Sequence, residues 1–321
     1  MNKTVLVLGV TGGIGAAVAQ EFLLQGWTVR VLLRNGSRQD LDSQYEQIQG
    51  DVMSAPDVLR AAQGCAVIVH GVNPKGYRDW SALVLPMLQS TLDAAAAVSA
   101  TILMPGTIYN YGQDAFPLLS EDSAQNPATD KGKIRVALEN KLKQFASLGG
   151  RVILLRAGDF FGPKLGNSWF SQGLVQAGKP VKSVAVPTEK FVGHTWAYLP
   201  DVARTMVLLA QKQNELDNYA DFHMKGHWDA TGRELAESIQ RVVEQDTGRV
   251  VRIKSFPWLL LVLLRAFVPI FRELLEMRVF WQHPLQLDNS KLLAVLGQEP
   301  HTPLQQAVRT SLQGIACLPQ K

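Results

Sequence analysis

The chain is poor in cysteine: 321 residues include only Cys65 and Cys317, far apart and without metal-ligand spacing. That argues against a disulfide framework and a thiolate zinc site, and a reducing, cytoplasmic setting fits best. A strong charge of one sign is also missing. The 32 Lys and Arg against 28 Asp and Glu leave +4, spread along the chain with acids between them. No nucleic-acid partner is expected from such a balance. Long hydrophobic runs are scarce as well. The apolar run after Lys3 stops at Gly9, too soon for a secretory signal core. "PWLLLVLLRAFVPIF", Pro257 to Phe271, is interrupted by Arg265 and Pro269, short of the roughly 20 residues a spanning helix needs. No transmembrane segment is expected. That stretch should cover a substrate pocket or a subunit interface, or touch a membrane peripherally. His223 and His227 are four apart, but no Glu accompanies them and Gly226 disfavours a helix, so no metal site is expected.

With 46% hydrophobic residues, the chain can bury a substantial core. Short β-rich runs alternate with helical spacing: "TVLVLG", then "GIGAAVAQEFLLQG" closed by Gly26, then "TVRVLLR". "CAVIVHG", "ATILMPG" and "GRVILLRAG" continue as buried strands, with the helix "DWSALVLPMLQSTLDAAAAVS" between the first two despite Pro86. This alternation predicts an α/β fold with a doubly wound parallel sheet and right-handed crossovers. Past Gly162 the rhythm loosens into helices joined by short strands. The expected division is a dinucleotide-binding domain over 1–162 and a smaller, mostly helical substrate-covering region over 163–321, with interleaving of the chain allowed. Asp201, between Pro200 and a helical run, reads as an N-cap.

The strongest motif is Gly9-Val10-Thr11-Gly12-Gly13-Ile14-Gly15, lying between a strand and a helix at the start of a βαβ unit. Gly9 and Gly12 let the backbone turn and approach a pyrophosphate, Gly15 permits close helix packing, and the helix start supplies unpaired N–H groups. The acid that usually meets the ribose hydroxyls about 20 residues further on is absent. Arg34 stands there, followed by Asn35, Ser37 and Arg38. A guanidinium suits a 2′-phosphate, so NADP is expected ahead of NAD.

Together with "GDV" at 50–52, "PGTIYNYG" at 105–112, "LRAGDFFGP" at 155–163 and "YLPDVA" at 198–203, this motif resembles the atypical, extended short-chain dehydrogenase/reductases of the NAD-dependent epimerase/dehydratase-like group. The similarity runs from about Thr4 to about Gly314. It implies a Rossmann fold in which Asp51 and Val52 flank the adenine, and Gly71, Val72 and Asn73 line the cofactor. Asp159 and Phe161 fall near the nicotinamide, and Thr107 falls at the active-site Ser/Thr, with Tyr111 in the Tyr-Gly pair. The chain departs from the family's Tyr-x-x-x-Lys: matching Gly132 and Glu139 sets Lys131 at the tyrosine and Arg135 at the lysine. A lysine beside a second cation and partly removed from water can exchange protons near neutrality. Related isoflavone- and phenylcoumaran-type reductases use a lysine acid. Lys131 and Arg135, four apart, share one helix face while Lys133 points elsewhere. Tyr109 and Tyr111 remain rival proton donors.

The expected protein is an NADP-dependent oxidoreductase acting on a small organic carbonyl, alcohol or activated alkene through Thr107, Lys131 and Arg135, as a monomer or homodimer. A redox sensor that binds NAD(P) without catalysis, and a nucleotide-sugar epimerase or dehydratase, are the alternatives.

Overall fold

The computed structural model describes residues 3–34, 41–74, 80–164, 166, 168–189 and 191–319. Seven parallel strands form the central sheet: β1 (Thr4–Leu8), β2 (Thr28–Leu33), β3 (Glu46–Gln49), β4 (Val67–His70), β5 (Thr101–Gly106), β6 (Arg151–Arg156) and β7 (Tyr219–His223). Their spatial order is β7-β6-β5-β4-β1-β2-β3. The runs in β1, β4 and β5 are apolar at nearly every position because both faces of the sheet are covered.

Helices α1 (Gly13–Leu24) and α5 (Leu199–Gln211) pack together on one face, over a core containing Val5, Val7, Phe22, Val31 and Met206. Helices α2 (Ala55–Ala62), α3 (Trp80–Val98) and α4 (Asp130–Ser147) cover the other, over Leu6, Ile68, Leu88, Ile102, Leu138 and Leu142. Alternate side chains of each strand thus serve opposite layers. At 19 residues α3 is long and apolar enough by composition to cross a membrane, but it lies on the sheet between α2 and α4.

The division expected at residue 162 is crossed by the chain. "DVARTMVLLAQ" becomes α5, and β7 pairs with β6, so residues 199–223 return to the first layer and supply an edge strand that periodicity left unread. Asp201 is not the N-cap, a position held by Tyr198. Its buried carboxylate accepts from Thr302 N at 2.7 Å and Thr302 Oγ1 at 2.8 Å, tying α5 to the C-terminal segment.

The second region pairs strand His194–Tyr198 with Asp159–Phe161 and with His227–Asp229. Its core joins Phe161, Phe170, Trp196 and Trp281 to α6 (Glu234–Thr247) and to Leu304–Gly314. Two short helices, α7 (Trp258–Leu264) and α8 (Pro269–Glu276), stand beside it. The apolar stretch expected to cover a pocket, meet a second subunit or touch a membrane has Leu259, Leu260, Leu263, Leu264 and Phe267 exposed in the single chain.

Candidate active site

Strand order reverses between β1 and β4, and a doubly wound sheet offers its binding crevice at the carboxyl end of such a pair. There Gly9 adopts φ +92°, and a Cβ on it would lie 2.6 Å from the Gly71 carbonyl oxygen. A Cβ on Gly15 would lie 2.1 Å from the Gly9 carbonyl oxygen. Only glycine lets the end of β4, the first turn and α1 converge. Gly12 N–H donates to Gly9 O at 2.9 Å, and Gly12 caps α1 without a side chain. Thr11 and Gly12 are exposed, with Gly13 and Ile14 half-buried behind them. The N–H groups of the first helical turn are therefore available at its positive end, and the cradle fits a dinucleotide pyrophosphate.

Of the residues expected on the adenine side, Arg34 follows β2 and is exposed, whereas Asn35, with Ser37 and Arg38, lies outside the described residues. Gly50 N donates to Leu33 O at 2.9 Å, holding the ends of β2 and β3 together. Asp51 follows directly, half-buried. Its Oδ1 accepts from Met53 N at 2.9 Å, and Val52 packs on the apolar cluster below.

The catalytic candidates gather where α4 begins. Thr129 Oγ1 accepts from Gly132 N at 3.0 Å and caps the helix. A Cβ on Gly132 would meet the Tyr109 carbonyl oxygen at 2.2 Å, so this glycine lets α4 press onto the turn Ile108–Asn110. Thr107 caps that turn, its Oγ1 accepting from Tyr109 N at 3.3 Å. Tyr109 is half-buried, with its ring 5.3 Å from Phe280. Lys131 is half-buried in the first turn of α4, while Lys133 is exposed and paired with Asp130 at 2.9 Å. One turn on, Arg135 is buried. Its Nη2 donates to Asn73 Oδ1 at 2.8 Å and its guanidinium carbon lies 5.0 Å from the Trp80 ring centre. Beneath it His70 bonds Thr91 Oγ1 through Nδ1 at 2.8 Å. Burial, and then the charge of Arg135, push the His70 imidazole down to about 3, so it is neutral.

Below this mouth lies a sealed polar network. Arg156, the last residue of β6, meets Glu139 of α4 at 2.8 Å, and both are almost wholly buried. Arg156 also donates through Nη1 to the Thr107 carbonyl and through Nε to His223 Nε2 at 3.2 Å. Gln125 Nε2 donates to Glu139 Oε2 at 3.0 Å, and Gln125 Oε1 accepts from Asn110 Nδ2 at 3.0 Å. Tyr111 belongs here and not to the mouth. Its side chain is fully buried, its hydroxyl is 3.0 Å from His223 Nε2, and burial pushes the phenol up to about 12. His223 is thus a network residue; among the described residues no group of three or more His, Cys, Asp or Glu gathers as metal ligands would. Asp159 faces His194, carboxylate to Nε2 at 2.9 Å, and that ring stacks on Trp281 at 4.0 Å. Phe161 is enclosed between the rings of Phe170 and Tyr198, with no surface left for a ligand.

The structure therefore brings Gly71, Val72, Asn73, Thr107, Lys131 and Arg135 to the carboxyl end of the sheet's central strands and separates Tyr111 and Phe161 from them. Sequence reading missed Trp80, His70, Arg156 and His223. Arg156 carried a legible signal, since a charge ending the run "RVILL" must be paired if that strand is central.

A model of the NAD dependent epimerase/dehydratase family matches residues 5–224. No curated protein matches the sequence. Among solved structures, the chain is similar to UDP-glucose 4-epimerase from Brucella ovis in complex with NAD, at 19% identity and TM-score 0.75, with 98% of each chain covered. UDP-glucose-4-epimerase from Stenotrophomonas maltophila, with bound NAD and formylated UDP-arabinopyranose, shares 17% identity at TM-score 0.73, again over 98% of each chain. UDP-glucose 4-epimerase from Thermotoga maritima with UDP-glucose shares 17% at TM-score 0.72, covering 97% of this chain and 98% of that one. At such identities the likeness speaks for the fold.

Proposed function

This chain belongs to the NAD-dependent epimerase/dehydratase family, as an NAD(P)-dependent enzyme of the extended short-chain dehydrogenase/reductase type, and from that premise we propose that it is an NADPH-dependent reductase of small organic carbonyls or activated alkenes in which Lys131 supplies the proton. The observation that carries this reading is the start of α4. Lys131 stands half-buried beside the Thr107 turn, and the second cation, Arg135, is locked one turn away by Asn73 and Trp80.

Bound in the glycine cradle, the cofactor supplies hydride. The N–H groups of α1 hold its pyrophosphate, and Arg34, exposed where β2 ends, is available to a 2′-phosphate. Arg135 and Asn73, already bonded to each other, would hold the nicotinamide ribose. Thr107 Oγ1 would orient the substrate oxygen, and Lys131 Nζ would give that oxygen its proton, with solvent at the half-buried Lys131 restoring it. Tyr109 is the alternative donor on the same turn.

The test is NADPH oxidation against a panel of aldehydes, ketones and enones, with wild type and Lys131→Met. Turnover that survives in Lys131→Met moves the proton to Tyr109. A second reading, epimerisation of a nucleotide sugar with NAD, is favoured by the UDP-sugar epimerases whose fold covers 97–98% of the chain. Conversion of UDP-glucose with no NADPH turnover would select it. Cofactor binding with neither activity would select a redox sensor.

A further inference from the structure

The exposed apolar stretch at α7 is absorbed by none of the chemistry above. Its root is fixed: Trp258 Nε1 donates to Pro187 O at 2.8 Å, its ring meets Phe256 at 4.8 Å, and Leu261 is buried. The opposite side is bare. Leu259, Leu260, Leu263 and Leu264 repeat at helical spacing on one face, and Phe267 extends it, with Leu259 73% and Phe267 82% exposed. Five large apolar side chains in one short segment form a contiguous ridge, unlike the scattered single leucines of an ordinary surface.

Cations surround it. Arg265 and Arg272 are exposed and adjacent, Arg272 Nε donating to Arg265 O at 3.1 Å. Arg252 and Lys254 are exposed on the strand that leads into α7. Between Arg249 and Arg278 the sequence holds six Lys or Arg against two Glu, a surplus of four that equals the net charge of the entire chain. The rest of the chain is balanced, so the net positive charge falls in the stretch of sequence that carries the ridge, with Arg278 of that stretch paired to Glu189 at 3.5 Å.

We propose that this ridge docks the protein on an anionic lipid bilayer, with the leucines and Phe267 in the boundary between headgroups and acyl chains and the cations against the headgroups. Apolar insertion and basic attraction together are the two signals that stable peripheral binding requires. A second copy is the poorer occupant, because twofold pairing of this face sets Arg265 and Arg272 against their own like charges. Docking here also brings the site mouth to the lipid surface. Met277 and Phe280, just beyond α8, pack with Ile108 beside Thr107. The proposal stands on the surface alone and is independent of which reaction the site performs.

Flotation of the full chain with vesicles of phosphatidylcholine, with and without phosphatidylglycerol, tests it, alongside light scattering without lipid. Wild type should float with the anionic vesicles, less so as salt is raised. Leu260→Ser/Leu263→Ser/Phe267→Ser should lower partitioning at least about tenfold at unchanged melting temperature, since all three side chains are solvent-facing. Arg265→Gln/Arg272→Gln should remove the preference for phosphatidylglycerol. Phe267→Ser alone repeats the measurement should the triple variant fold poorly. Failure of wild type to float, equal binding to both vesicles, or undiminished binding by the serine variants overturns the proposal. So does a lipid-free dimer that the serine variants convert to monomer, which would assign the ridge to a second copy.

Discussion

The cofactor cradle and the start of α4 lie at the same carboxyl end of the sheet, yet they are built from opposite materials. In the cradle the main chain does the work: Gly9 lies too close to the Gly71 backbone, and Gly15 to the Gly9 backbone, for either to carry a Cβ, and α1 begins without a capping side chain. At α4 the side chains decide. Arg135 is held by Asn73 and Trp80, and the floor beneath joins Glu139, Arg156, Gln125 and His223 from four separate segments. A main-chain cradle is dictated locally and tolerates change around it. A distributed network depends on every partner, because a buried charge that loses one is left uncompensated.

The sharpest test of this contrast is Glu139→Gln. It leaves the Arg156 guanidinium buried opposite an amide and should cost about 3–5 kcal/mol in urea unfolding. Glu139→Leu combined with Arg156→Met should recover much of that, since removing both charges removes the penalty. A loss under about 1 kcal/mol for Glu139→Gln would mean that water reaches the floor and the network is not sealed.

Next in size is the reaction itself. Lys131→Met should lower kcat by about 10²–10⁴-fold, the usual contribution of a positioned acid, while NADPH titration and melting temperature stay near wild type. Arg135→Met should weaken NADPH binding, as it frees Asn73 and uncovers Trp80. The two variants thus separate the chemical step from the cofactor grip on a single helix face, and equal effects on kcat and binding from both would merge those roles.

How much of this was legible follows from the same contrast. The glycine turn could be read because Gly12 and Gly15 answer to the Gly9 backbone within a few positions, although Gly9 itself meets Gly71 beyond β4, and the strands could be read because burial on both faces demands unbroken apolar runs. The face shared by Lys131 and Arg135 also followed from spacing. Their surroundings did not. Trp80 and Asn73 reach Arg135 only through the crossover between β4 and β5, and His223 reaches Tyr111 across 112 positions on an edge strand that returns from the second region. Tyr111 shows the cost: motif matching set it beside Thr107 as a proton donor, whereas the turn at Ile108–Asn110 directs it into the core.

A smaller effect is expected at the cradle's outer end. Arg34 is exposed where β2 ends, so Arg34→Ala should leave stability within about 0.5 kcal/mol of wild type. It should weaken NADPH binding by about 1.5–3 kcal/mol, the range for hydrogen bonds to a charged group, and leave NADH nearly unchanged. Equal losses for the two cofactors would show that Arg34 does not meet a 2′-phosphate.

The smallest signal is a slope, and it belongs to the floor. His223 Nδ1 faces the Leu119 carbonyl at 3.1 Å, which can only accept, so Nδ1 carries the hydrogen and Nε2 must accept from Arg156 and Tyr111. Burial, and then the Arg156 charge, lower the imidazole from 6.5 to about 3. Between those values the unfolded chain binds a proton at this residue and the folded chain does not. Stability contributed by neutral His223 is therefore fully present above about pH 6.5 and declines as pH falls toward 3, by at most about 1.4 kcal/mol per pH unit. In His223→Gln the side-chain oxygen can accept from the same donors without titrating, so its stability should fall less steeply with acid across that window. Urea unfolding of both proteins from pH 7 down to pH 4 reads the difference directly. Parallel slopes would mean that His223 protonates in the folded state, and hence that the network beneath α4 opens to water before the protein unfolds.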